Sequence, residues 1–170
     1  VGLPGQPDPE EARWIEATVD GVRVVSVYVP NGREVGTDTF ASKLVFFDVM
    51  RARAAALADR PAVITGDMNV CPTDLDVWSV ADIHGATHVT PDERSRFEAI
   101  LAEGYVDAFR HLNPLEPGFT WWDYRAGNFH KGFGLRIDLA LVSLPLAPRL
   151  SGARVERAYV VVLQIDLDEG

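Results

Sequence analysis

Two β-rich runs, Trp14-Ile-Glu-Ala-Thr-Val19 and Val22-Arg-Val-Val-Ser-Val-Tyr-Val29, are separated only by Asp20-Gly21. A two-residue loop joins two strands only through a turn with positive φ at its central residues, and Asp-Gly adopts that turn readily. The chain therefore contains an antiparallel hairpin, which excludes all-helical and purely parallel folds. A helical pattern follows: Phe40, Leu44, Phe47, Met50, Ala54 and Leu57 recur at three-to-four spacing over 38–58, giving one apolar stripe. Pro61 to Thr65 reads as a short apolar strand that runs into Gly66-Asp67-Met68-Asn69. Thr90 and Glu93 form a capping box with Pro91 at the first helical position, and Gly104 marks that helix's end. Phe119 to Tyr124, Leu135 to Ser143 and Val160 to Leu167 complete the strands. Helices set between strands, beside an antiparallel hairpin, predict one α/β domain over 1–170, a mixed-sheet layered sandwich.

Charge narrows the function. The net charge of −9 argues against nucleic acid, whose binders are usually basic. The charge is divided, however: residues 59–107 carry ten acids against three bases, and residues 108–158 carry seven bases against four acids. An acidic centre for a metal, with basic segments for phosphates, is compatible with a nuclease. No apolar run approaches the ~20 residues of a membrane helix, so no membrane partner is expected. The single Cys71 rules out an internal disulfide and suits a reducing cytoplasm. The opening Val-Gly-Leu-Pro-Gly-Gln-Pro has neither an initiator Met nor a signal pattern, and reads as a chain that begins mid-protein.

Four segments carry candidate chemistry. In extended chain Asp67 and Asn69 point the same way, so a carboxylate and a carboxamide share one face, where a hard cation or an attacking water wants oxygens. The same residues also favour a plain strand-end turn. In Leu135-Arg136-Ile137-Asp138-Leu139-Ala140-Leu141, alternation sets the leucines and Ile137 on one face and Arg136 with Asp138 on the other. That pair is either a salt bridge on a solvated face or a carboxylate put to use. Phe119-Thr-Trp121-Trp122-Asp-Tyr-Arg125 clusters aromatics with a cation, for stacking on bases or for core packing. Tyr28 closes its strand in Val27-Tyr-Val-Pro-Asn-Gly32.

Together, Gly-Asp-Met-Asn before Pro72-Thr-Asp-Leu-Asp76, then Trp-Trp-Asp-Tyr-Arg and Gly134-Leu-Arg-Ile-Asp-Leu, resemble exonuclease III and its abasic-site endonuclease relatives, a branch of the endonuclease/exonuclease/phosphatase superfamily. The likeness runs from Glu11 to Leu146, the C-terminal portion of such a protein, so the fold is expected to be incomplete at its N-terminus. It implies that Asp67 orients or deprotonates the attacking water, and that Asn69 meets the phosphate or metal-bound oxygens. Asp138 would align the centre, and Tyr28 would stabilise charge on the phosphate. Mg²⁺ or Mn²⁺ would sit at Asp67 and Asn69. Trp121, Arg125 and Arg136 would contact DNA, with Arg136 supporting Asp138 or a phosphate. The implied partner is duplex DNA with an abasic site or a 3′ end, and the implied process is base excision repair.

Two family parts are missing. The family's first half supplies an Asn and a metal-binding Glu, and nothing precedes Val1 here. The family's Ser-Asp-His before the last strand is replaced by Glu156-Arg-Ala-Tyr159. His84, His88, His111 and His130 read as loop or surface residues, and Cys71 as a packed residue. Without the first half, one sheet face would lie open and favour self-association. A lipid or inositol phosphoesterase and a non-catalytic interaction module stand as alternatives.

Overall fold

The computed structural model describes residues 2–123, 127–156 and 160–167. Arg125, and Tyr124 at the expected end of a strand, lie outside the described residues. The main sheet runs in the order β1 (Trp14–Val19), β2 (Val22–Tyr28), β3 (Ala62–Asp67), β7 (Asp138–Ser143), β4 (Tyr105–Asp107). The hairpin forms as expected: Val19 pairs with Val22, and Asp20 and Gly21 take φ of 46° and 78°. β2 and β3 are parallel, linked through helix α1 (Asp38–Ala55), and β7 lies antiparallel to both β3 and β4. The α1 stripe ends at Ala55, short of the expected 58, and turns carry the chain to β3.

One face of the sheet is roofed by helices. Val25, Val27, Ile64, Leu139 and Leu141 pack with Phe46, Phe47 and Met50 of α1, and with Phe97 and Ile100 of α3 (Pro91–Ala102), which follows the one-turn α2 (Val80–Ile83). Both arms of the expected capping box start α3: Thr90 accepts from the Glu93 N–H, and Glu93 accepts from the Thr90 N–H. On the other face Val63, Ala140 and Val142 meet Ala108 and Phe109 of α4 (Ala108–Leu112). The same cluster includes Leu150 and Ala153 of β8 (Leu150–Glu156), which pairs with β9 (Val160–Ile165).

The expected strand 135–143 is two strands in different sheets. Leu135 belongs to a ribbon of β5 (Trp121–Trp122) and β6 (Gly134–Leu135), and pairing with β3 begins only at Asp138. Between them Arg136 is drawn into the interior by two carboxylates, which resets the alternation. Leu135 and Ile137 therefore pack with Cys71 and Val77, away from Leu139 and Leu141. β7 has no solvated side, because Ala140 and Val142 are buried as deeply as Leu139 and Leu141.

The open sheet face is smaller than expected. The β8–β9 hairpin and α4 cover β3 and β7, but Ile15 and Val19 on β1 remain 52% and 54% exposed, beside exposed Ala17 and Ser26. An edge strand that is apolar on an uncovered face templates association. The 170-residue chain is expected to elute from size-exclusion columns in a concentration-dependent way, and Ile15→Lys with Val19→Lys should abolish that dependence. A wild-type monomer across the concentration range would show that the strip is tolerated.

Candidate active site

Strands β2 and β3 end where the neighbouring β7 begins. Tyr28 pairs laterally with Asp67, and Asp67 with Asp138, so three side chains from distant parts of the sequence stand side by side on one face. They sit at the C-terminal ends of the two parallel strands, where α/β sheets ordinarily bind ligands. Tyr28 is 49% exposed, and the Arg13 guanidinium lies 4.9 Å from its ring centroid. Glu11 holds that guanidinium in turn. Gly66, just before Asp67, takes φ of +143°, and a Cβ there would lie 1.9 Å from Val27 O. Only glycine lets β3 approach β2 this closely.

Burial pushes the Asp67 carboxyl up to about 6, and the charge of Asp138 adds to the rise. The Asn69 N–H at 2.9 Å and the more distant Lys43 charge oppose it. Asp138 is also raised by burial, against a hydrogen bond from Thr120. Buried Thr120 holds this strand start, its Oγ1 accepting from the N–H groups of Ile137 and Asp138, each at 3.1 Å. The result is a pair of carboxylates that repel each other, half out of water, with a tyrosine alongside.

A stability prediction follows from this geometry. The folded chain keeps a proton on Asp67 up to about pH 6, whereas the unfolded chain releases it near pH 4, so this group's contribution to stability falls as pH rises through that window. Asp67→Asn removes that loss. It is expected to raise stability by about 1 kcal/mol at about pH 7, after discounting for partial exposure, and by nothing at about pH 4. A variant-minus-wild-type difference in unfolding midpoint that is flat with pH would remove the strained-pair assignment.

Asn69 is placed by a turn rather than by the expected strand face. β3 stops at Asp67, and Asn69 takes a left-handed φ of 50°. Its side chain is 1% exposed, donating from Nδ2 to Val29 O at 2.9 Å and accepting from Asn31 Nδ2 at 3.0 Å. Its carbonyl oxygen meets Lys43 Nζ at 2.6 Å and His88 Nδ1 at 2.6 Å.

Residues 1–159 match the family model described as the Endonuclease/Exonuclease/phosphatase family. The chain belongs to that family. An exodeoxyribonuclease of Bacillus subtilis is 30% identical over 156 residues, covering 91% of this chain and 62% of that protein. A DNA-(apurinic or apyrimidinic site) endonuclease of Dictyostelium discoideum is 31% identical, covering 89% of this chain and 43% of its own length. Among solved structures, a 3′–5′ exonuclease from Neisseria meningitidis superposes with a TM-score of 0.90 at 34% identity, covering 97% of this chain and 69% of that one. The chain thus spans roughly two-fifths to three-fifths of the curated relatives named, 43% and 62% of their lengths.

In this member of the endonuclease/exonuclease/phosphatase family, Arg136 stands elsewhere than the sequence placed it. It is 1% exposed, with Nε 2.6 Å from Asp76 Oδ1 and Nη2 2.7 Å from Asp107 Oδ2. Arg110 also donates to Asp76, at 2.6 Å, and Arg136 lies over the Phe109 ring. Its guanidinium therefore serves the interior and reaches neither Asp138 nor the surface. Trp121 is 37% exposed, next in sequence to Thr120, while Trp122 packs edge-on against Phe119 and Phe129.

Sequence reasoning missed Lys43, Glu93, His88 and Thr120 around this site. Lys43 had a signal, since it falls three residues after Phe40 and three before Phe46, on the buried side of α1. Among the described residues no three His, Cys, Asp or Glu side chains cluster as a complete metal cage. Two raised carboxylates nevertheless fit a magnesium-type ion, which is commonly held by one or two carboxylates and completed by water and phosphate.

Proposed function

We propose that this chain is the C-terminal portion of a Mg²⁺- or Mn²⁺-dependent DNA phosphodiesterase of the exonuclease III kind. Its reactions would be 3′→5′ removal of nucleotides and incision 5′ to an abasic site in base excision repair. The observation that carries the reading is the cross-strand pairing of Asp67 with Asp138, with Tyr28 laterally beside Asp67.

Asp67, raised toward neutrality, orients the attacking water and accepts its proton. Asn69 orients that carboxylate through its N–H, and its assignment to the phosphate rests on the sequence likeness alone. Asp138, seated on Thr120, aligns the centre, and the half-exposed Tyr28 hydroxyl steadies charge on a phosphate oxygen. Asp67, with Asp138 beside it, would hold the ion, whose contribution is to neutralise the phosphate and the leaving 3′-oxygen. The expected ligand Asn69 instead has its carboxamide engaged by Asn31 and Val29 O. Exposed Trp121 would stack at the minor groove or on the damaged nucleotide, with Arg125 assigned to phosphate on the sequence likeness alone. No described helix is long and apolar enough to cross a membrane, and the buried free Cys71 is compatible with a cytoplasmic setting.

The test is a substrate panel for the protein carrying a family-length N-terminal half. We expect release from an abasic-site duplex and from recessed 3′ ends, with inositol phosphates and phospholipids untouched. Hydrolysis of the inositol phosphates instead would move the protein to a lipid-directed branch.

A further inference from the structure

The Asp67–Asn69 turn is held from beneath by an ion pair that the proposed chemistry does not use. Lys43 and Glu93 are both 0% exposed and form a salt bridge between α1 and α3. The Lys43 ammonium also donates to Asn69 O at 2.6 Å, Asn31 O at 3.1 Å and Thr87 Oγ1 at 3.3 Å. His88 Nδ1 lies 2.6 Å from the Asn69 carbonyl oxygen, which can only accept, so Nδ1 carries a hydrogen and gives Asn69 O a second donor. Gly32 makes room for the lysine, since a Cβ there would lie 2.7 Å from Lys43 Cδ.

Joining α1 to α3 would need only the Glu93 contact. Two of the three remaining donations converge on the backbone of two turns, those of Asn31 and Asn69, which are also linked through their side chains, and the third goes to Thr87 Oγ1. Asn69 is left-handed and not glycine, a conformation that persists when the surroundings over-determine it. Its N–H is the donor to Asp67 Oδ1.

We infer that Lys43 is a positioning residue: by holding the Asn69 carbonyl in the interior it turns the Asn69 N–H onto Asp67 and sets the angle of that carboxylate. This rests on reading Asp67 as the reactive carboxylate, but its primary readout needs no catalysis. Lys43→Met alone strands the buried Glu93 carboxylate and risks unfolding. Lys43→Met with Glu93→Gln removes both charges, and Gln can keep the capping box.

Amide hydrogen exchange, followed residue by residue, is the measurement. In the double variant the Asn69 amide is expected to exchange at least about ten-fold faster, with Ile64 in β3 and Phe97 in α3 unchanged. Glu93→Gln alone should leave Asn69 protected. Unchanged Asn69 exchange in the double variant overturns the proposal, as does equal loss of protection at all three amides. A double variant that does not fold assigns Lys43 to helix packing and overturns it too. In the family-length protein the same double variant should lower kcat about ten- to a hundred-fold with KM little changed. Absence of nuclease activity in that protein's wild type would count against the proposed function and leave the exchange result to decide on Lys43.

Discussion

A duplex carrying one abasic site is expected to survive incubation with the 170-residue chain and Mg²⁺ almost uncut. Among the described residues the site offers two carboxylates and a tyrosine, without a third acidic or imidazole donor close enough to form a cage. The family likeness assigns a metal-binding Glu and a phosphate-facing His to segments not found in this chain. Losing one positioned acid–base or charge-stabilising group typically costs ~10²–10⁴-fold. Groups that act as a unit do not combine additively, so the joint deficit is bounded only from below. A protein extended with a family-length N-terminal half, and with Ser-Asp-His inserted after Tyr159, should cut, stop on EDTA, and fail again with Asp67→Ala. Robust EDTA-sensitive incision by the chain alone would show that the essential groups are already present and misassigned. An extended protein that never cuts would favour the non-catalytic alternative.

Arg136→Met should lower the unfolding midpoint by about 10 °C, because breaking a buried pair costs roughly 3–5 kcal/mol and each kcal/mol moves a domain this size by about 2–4 °C. Asp76 would keep Arg110 and Thr73, but Asp107 would lose both of its guanidinium hydrogen bonds. Adding Asp107→Asn should recover part of the loss by neutralising the stranded charge. A phosphate-contacting arginine would behave oppositely: its removal would leave the midpoint alone and reduce the salt dependence of DNA binding by about one phosphate contact. Calorimetry and a binding titration at several salt concentrations separate the two outcomes.

The features that were legible in the sequence are those set by neighbours in the chain. Asp20-Gly21 dictates its hairpin and Thr90 with Glu93 dictates a helix start, because each obeys a geometric rule only a few residues long. The strand ends carrying Tyr28 and Asp67 were legible for the same reason, as short runs that stop at polar residues, whereas Asp138 was read inside a longer strand and in fact begins β7. Partnerships across the fold were not legible. Arg136 meets Asp76 from 60 residues away, and Lys43 meets Glu93 from 50, so nothing local distinguishes either cation from a solvated one. Arg136 was misplaced because strict alternation was carried through a point where the chain changes sheets. Strands β4 and β8 passed unnoticed, the first for its three residues and the second because Gly152 and Arg154 interrupt its apolar pattern.

The position of β7 bears on how the sheet is assembled. It lies between β3 and β4, although both precede it in the chain. During synthesis, β1 to β3 emerge as a three-stranded unit with an unpaired edge, and β4 has no partner until β7 arrives. The inserting strand begins at Asp138, opposite Asp67, so closing the sheet brings two carboxylates together. Non-local pairing of this kind is slow. Here the strand that completes the main sheet is also the one that brings in the site's electrostatic repulsion, so acid or a divalent cation should ease its insertion.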